Sequence, residues 1–155
     1  MTIFAFDISL SNTGIVVFND AGKFLEKISI DTHEEKTHPL KLRKIEKTIK
    51  KLKNKYKPSL IVVEESFTRF NKSTQAIYKV KGVVEILFWD IEQVSFHATT
   101  IRKQLLGKGN AKKEEVQDFI KSKYSNIIFD DMDQSDAFAV GLCYFNKKGI
   151  ITWSN

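Results

Sequence analysis

With one cysteine, two prolines and seven glycines in 155 residues, the chain has little to cross-link, kink or loosen it. A lone thiol excludes an intramolecular disulfide. Cys143 lies in the apolar run AFAVGLCYF and reads as a small buried residue of a chain kept in a reducing cytoplasm. Prolines and glycines gather into no linker, and neither repeats nor low-complexity tracts appear, so residues 1–155 are read as a single domain. No uncharged apolar run approaches the ~20 residues of a membrane span. The opening MTIFAFDISL has an acid at position 7 and no basic lead, so neither secretion nor a membrane partner is expected. His33, His38 and His97 share no ligand spacing, and without a cysteine pair there is no zinc site to build.

Positive charge, by contrast, is plentiful and uneven. The net charge is +6, and residues 36 to 57 hold ten of the 25 lysines and arginines against the single acid Glu46. Leu42, Ile45, Ile49, Leu52 and Tyr56 recur there at helical spacing behind Pro39, which predicts an amphipathic helix with a basic outer face. Such a face either solubilises the chain or meets a phosphate backbone.

Three short apolar segments, IFAFDI, GIVVFN and AGKFLEKISID, are separated by the turn-like SNTG and NDAG and read as strands in tight hairpins. SLIVVEESF is a nearly continuous apolar strand, and EQVSFH reads as a fifth. Helices are expected over Ser73 to Asp90, over Ala111 to Tyr124 with Asn110 as cap, and over DQSDAFAVGLCYF. Apolar residues on more than one side of the Ser73–Asp90 helix predict burial on more than one side. Gly82 in its middle suggests close approach of another element or of a second subunit. The order predicts an α/β fold of the ribonuclease H-like type, a five-stranded mixed sheet (three antiparallel strands, then two parallel) with helices on both faces.

Three distant segments each place carboxylates at an element terminus: Asp7 after the first strand, Glu64 and Glu65 after the fourth, Asp133 and Asp136 at the last helix. Each has a plainer role when taken singly. Acids three residues apart suit a helix N-terminus as caps, and Glu64 and Glu65 can merely close a strand. Asp7 is harder to dismiss, because a charge ending a buried apolar strand costs several kcal/mol unless paired. Carboxylates gathered together repel and need a cation to stay ionised, and hard oxygen donors favour Mg²⁺ or Mn²⁺. Alternation puts Glu64 and Glu65 on opposite faces, so only one can join such a site.

The segments FAFDISLSNTG, IVVEESF, IRKQLLGKGNAKKEEV and DQSDAFAVGL, in that order, resemble the RuvC family of Holliday junction resolvases in its short, lactococcal phage-like form, over residues 3 to about 145. The resemblance implies catalytic, metal-holding roles for Asp7, Glu64, Asp133 and Asp136. Glu64 is preferred over Glu65 because it lies three residues before Phe67, as in the family pattern. It further implies two-metal hydrolysis of a phosphodiester with 5′-phosphate and 3′-hydroxyl products, two Mg²⁺ or Mn²⁺ per site, and a homodimer with one site for each of two strands. Its substrates are four-way junctions, with forks and flaps as further branched candidates. Arg102 and Lys113 match basic family positions that approach phosphates, with Lys103, Lys108 and Lys112 adding positive field. Phe67, beside Arg69, Phe70 and Lys72, matches a position that probes unstacked bases, unless these aromatics pack against a partner subunit. Such an enzyme works in the cytoplasm, the host's if a phage encodes it.

Two departures from the family pattern stand out. Ile8-Ser9 replaces the Pro-Gly that commonly follows the first aspartate, and the basic stretch over 36 to 57 is heavier than the family's. Rival readings are a catalytically inactive DNA-binding module of the same fold, and an actin- or sugar-kinase-type phosphotransferase. The latter follows from DISLSNTG, which also resembles a phosphate-binding hairpin, but 155 residues are too few for the two domains it needs.

Overall fold

The structure is a computed structural model that describes residues 1–65 and 72–153. Phe67, Arg69 and Phe70 therefore lie outside the described residues. β1 (Thr2–Asp7), β2 (Asn12–Asn19) and β3 (Phe24–Asp31) form the expected antiparallel meander. Gly22, at φ 77°, turns the chain between β2 and β3. There the Asn19 side chain accepts from the Ala21 and Lys23 amides at 3.1 and 2.8 Å. Helix α1 (His38–Tyr56) leads to β4 (Leu60–Glu65), and α2 (Lys72–Leu87) leads to β5 (Glu92–His97). Both crossovers add parallel strands, giving the sheet order β3-β2-β1-β4-β5. The five-stranded mixed sheet is the one the sequence predicts.

Alternation along the strands divides the core in two. Phe4 and Phe6 of β1, with Ile15, Val17, Ile61 and Val63, pack under α1 and α2 through Ile45, Ile49, Val80, Val84 and Phe88. Ile3 and Ala5, with Val16, Phe18, Leu60 and Val62, pack under the helices that follow β5. These are α3 (Ala98–Leu106), α4 (Lys113–Lys123) and α5 (Met132–Lys147). Helix α5 is buried along most of its length, and Gly141 is what lets it lie so close to the sheet, since a Cβ there would stand 2.3 Å from the Phe18 ring. Cys143 is buried in this helix, where burial pushes its thiol up to about 12.

The helices hold most of the corrections. Helix α3 has no counterpart in the expected order of elements: Ile101 and Leu105, four residues apart, bury one face, and Gly107 ends the helix at φ 75°. Without a side-chain cap, and with Thr99 and Thr100 in its first turn, it carries no start signal. Helix α4 begins two residues later than expected. Its cap is Lys112, whose amide is taken by the Glu115 carboxylate at 2.7 Å, and not Asn110. The α2 glycine, Gly82, faces nothing within 4 Å among the described residues, so none of the described elements approaches it. Nor is α2 buried on more than one side: Tyr78, Ile86 and, just past its end, Trp89 are 46%, 74% and 82% exposed. Among the described residues no helix is long and apolar enough to cross a membrane.

Candidate active site

Parity along the strands decides which acids can meet. Asp7 follows Ile3 and Ala5 on the α5 side of β1, and Glu64 follows Leu60 and Val62 on the same side of β4, its parallel neighbour. Glu65 points the other way along the strand and sits 3.3 Å from His97 of β5. On the other flank of Asp7 lies Gly14. A Cβ on Gly14 would stand 2.1 Å from the Asp133 carbonyl oxygen, so glycine is what allows the start of α5 to reach the end of β1.

Asp7, Glu64 and Asp136 line one pocket of about 160 Å³ together with Arg102 and Lys113. Lys113 forms an ion pair with Asp136. Burial, then the negative charges of Asp136, Glu64 and Asp133, push Asp7 up to about 8, with Lys113 opposing. Burial and then Asp136 raise Glu64, against Lys113 and Arg102. Asp136 is also raised, chiefly by burial, despite its ion pair. The pairing and the fields of Asp7 and Asp133 in turn raise Lys113, against the effect of its own burial. This is a pocket with more negative charge than its two cations answer.

Asp133 does not line the pocket. Its carboxylate accepts from the Asn12 side-chain amide at 2.6 Å, and the same amide donates to Asp131 at 3.1 Å. Asp131 is the true N-cap of α5, accepting from the Gln134 amide at 2.9 Å and from the Ser29 hydroxyl. Against its partial burial, these bonds hold its carboxyl below the usual range. The Oδ1 of Asn12 is buried without a partner among the described residues. Asn12 and Asp131 were not among the expected site residues. The one signal for Asn12 in the sequence is its place in the turn-like SNTG, two residues before Gly14; in the structure it opens β2, opposite Asp31.

Among the described residues no three acids, histidines or cysteines yet converge on one cation position. Lys113 pairs with Asp136, and Asn12 holds the Asp133 carboxylate beside the pocket. The hairpin hydroxyls that resemble a phosphate loop are bonded within the hairpin, Ser9 to Ser11 at 3.1 Å and Thr13 to the Ser9 carbonyl.

Of the expected DNA contacts, Arg102 and Lys113 lie at the pocket, from α3 and from the first turn of α4. Lys103 and Lys112 are exposed near them in sequence, while Lys108 is tied to Glu115.

The model of the family described as crossover junction endodeoxyribonuclease RuvC matches residues 3–144. The chain belongs to the RuvC family. It is 29% identical to the crossover junction endodeoxyribonuclease RuvC of Ehrlichia canis, over 96% of this chain and 98% of that one. It is 30% identical to that of Ehrlichia ruminantium strain Gardel, over 93% and 96%. Among solved structures, Thermus thermophilus RuvC superposes with a TM-score of 0.81 at 19% identity, covering 96% of this chain and 97% of that chain. The same protein in complex with a Holliday junction substrate gives 0.82 at 19% identity, with coverage of 96% and 94%. This family of hydrolases cuts DNA, and its fold is the ribonuclease H-like one expected from the order of elements.

Proposed function

We propose that this RuvC-family chain is a divalent-metal-dependent endonuclease that resolves four-way and other branched DNA junctions as a homodimer. The carrying observation is the pocket at the ends of β1 and β4, which three half-buried carboxylates from separate segments line and where Asp7 is pushed up to about 8. A group of hard oxygens this short of positive charge suits Mg²⁺ or Mn²⁺. Asp7, Glu64 and Asp136 would hold the metal, with Asp133 joining from beside the pocket. Metal bound there supplies charge that stabilises the attacking and leaving oxygens of an in-line displacement at phosphorus.

The chain's own residues supply the rest. Lys113 and Arg102, the cations of the pocket, offer donors to the non-bridging oxygens of a phosphodiester. Water attacks the phosphorus, the 3′ oxygen leaves, and the products carry a 5′-phosphate and a 3′-hydroxyl. Gly14 and Asn12 fix the start of α5, and with it the approach of Asp133 and Asp136, before substrate arrives.

The homodimer rests on α2. Tyr78, Gly82, Ile86 and Trp89, at steps of four, four and three residues, form one stripe that the described residues leave largely open, with space over Gly82 for a second helix. Two copies joined there bring one site to each of two strands.

A labelled four-way junction tests the whole reading: the wild type with Mg²⁺ or Mn²⁺ nicks opposed strands, and linear duplex of the same sequence is spared. An inactive DNA-binding module would bind the junction and leave it whole. Ile86→Lys with Trp89→Lys tests the dimer by light scattering. Monomers that still cut both strands in one encounter would remove it.

A further inference from the structure

The outer face of α1 has no role in the pocket. Arg43, Lys47 and Lys51, one turn apart, line a shallow groove with Glu46, Lys50 and Asn54 on the outer face of the helix. Other lysines of this helix have acidic partners: Lys44 has Glu35 at 3.4 Å, Lys53 has Asp90 at 2.9 Å and Lys55 has Glu26 at 2.7 Å. Lys50 lies 4.0 Å from Glu46. Arg43, Lys47 and Lys51 have no acidic partner among the described residues. Like charges one turn apart destabilise a helix, so nothing in the folding of α1 explains this row.

Its direction matters. Thr32, just before α1, ties to the Ser11 carbonyl at 2.9 Å, so the helix starts near the turn that follows Asp7. It ends where the Tyr56 carbonyl accepts from Thr2 at 2.8 Å, at the far end of β1. The row therefore runs away from the catalytic end of the sheet, on the face opposite α5. From Arg43 to Lys51 it rises about 12 Å, a length matching about three phosphates of one DNA strand.

We infer that the Arg43–Lys47–Lys51 row of α1 is a second DNA-binding site, which grips the phosphate backbone of a duplex arm away from the branch point. The inference rests on the reading above that branched DNA is the substrate. Duplex DNA fits this face better than a protein partner does, because four cations outnumber the single acid, Glu46, among the groups lining the groove, and none of those groups is a large apolar side chain. Binding here is sequence-independent and sensitive to salt.

The experiment measures the affinity of labelled four-way junctions by anisotropy across a salt series, with arms of about 10 base pairs, roughly one helical turn, or about 25. The proteins are wild type, Arg43→Gln/Lys47→Gln/Lys51→Gln, and the same three positions as Glu. Each lost phosphate contact lowers the slope of log affinity against log salt by about 0.9, so the glutamine variant should lose a slope of about 3 on long arms. Between 50 and 200 mM salt it should then lose affinity by a factor about 40 smaller than wild type does. On short arms the two should differ little, and single-turnover cutting at saturating protein should match wild type.

An unchanged slope on long arms overturns the inference, as does an equal loss on short and long arms, which would put the contact at the branch. If the glutamate set fails to fold, the glutamine set carries the test alone. A wild type that binds with the expected slopes but does not cut would remove the nuclease reading and leave this site standing.

Discussion

Asp7→Asn should stabilise the metal-free protein, and the gain should depend on pH. Asp7 moves from 3.8 to about 8 on folding, so the folded chain holds its proton more tightly than the unfolded chain does. Because the folded value is the higher one, stability is intact below about pH 4 and falls as pH rises through the window to about 8. At about 1.4 kcal/mol per pH unit, the ionised carboxylate costs on the order of 4 kcal/mol at pH 7 and about 1.5 at pH 5. An isosteric amide escapes most of that cost. Denaturant unfolding in chelator, at several pH values, should show Asp7→Asn ahead of wild type by a few kcal/mol at pH 8 and by little at pH 4. Saturating Mg²⁺ should narrow the gap, because a cation that binds only the folded wild type adds stability by mass action. A variant less stable than wild type at pH 8, or a gap that ignores pH, would refute the claim that the carboxylates are crowded.

Gly14→Ala should cost about 1–3 kcal/mol, the usual penalty of overpacking, and should slow cutting, because the new Cβ would stand 2.1 Å from the Asp133 carbonyl. Gly82→Ala, with no described atom within 4 Å, should instead stabilise the isolated monomer by up to about 1 kcal/mol of helix propensity; denaturant unfolding of both variants, at concentrations too low for dimers, checks the contrast. Asn12→Ala removes the 2.6 Å donor to Asp133. A hydrogen bond to a charged group is worth about 1.5–3 kcal/mol, so single-turnover cutting should fall about tenfold to a hundredfold while junction binding holds. Lys113→Met leaves Asp136 without its ion pair and the pocket more negative. It should weaken junction binding and slow cutting by about tenfold or more, since tenfold needs only about 1.4 kcal/mol.

Much of this was legible because the sequence's periodicities survive intact in the fold. Short apolar runs ending in Asp7 and Glu64 marked both strands, and strand parity, which lets only one of Glu64 and Glu65 join a site, puts Glu64 in the pocket, the acid that the spacing to Phe67 favours. What stayed hidden was tertiary. Helix α3 lacks a cap and opens on β-branched residues, so its two buried anchors, Ile101 and Leu105, make too weak a pattern to read. The cap of α5 was misassigned because DDMDQSD offers several acids, and only the bond from Ser29, on a strand about 100 residues earlier, selects Asp131. Asn12 is a case of the same kind: an asparagine in a turn reads as turn chemistry until α5 is laid across it. The glycines divide likewise. Gly14 answers a backbone approach that no local pattern announces, and Gly82 answers nothing among the described residues.

The central claim is that the carboxylates around Asp7 carry out phosphodiester hydrolysis in branched DNA. Its most direct test is single-turnover cutting of a labelled four-way junction by wild type and Asp7→Asn at saturating protein, with Mg²⁺ or Mn²⁺ and binding measured in parallel. The account predicts that Asp7→Asn binds the junction as wild type does and leaves its strands whole. Cutting by Asp7→Asn at the wild-type rate would contradict it.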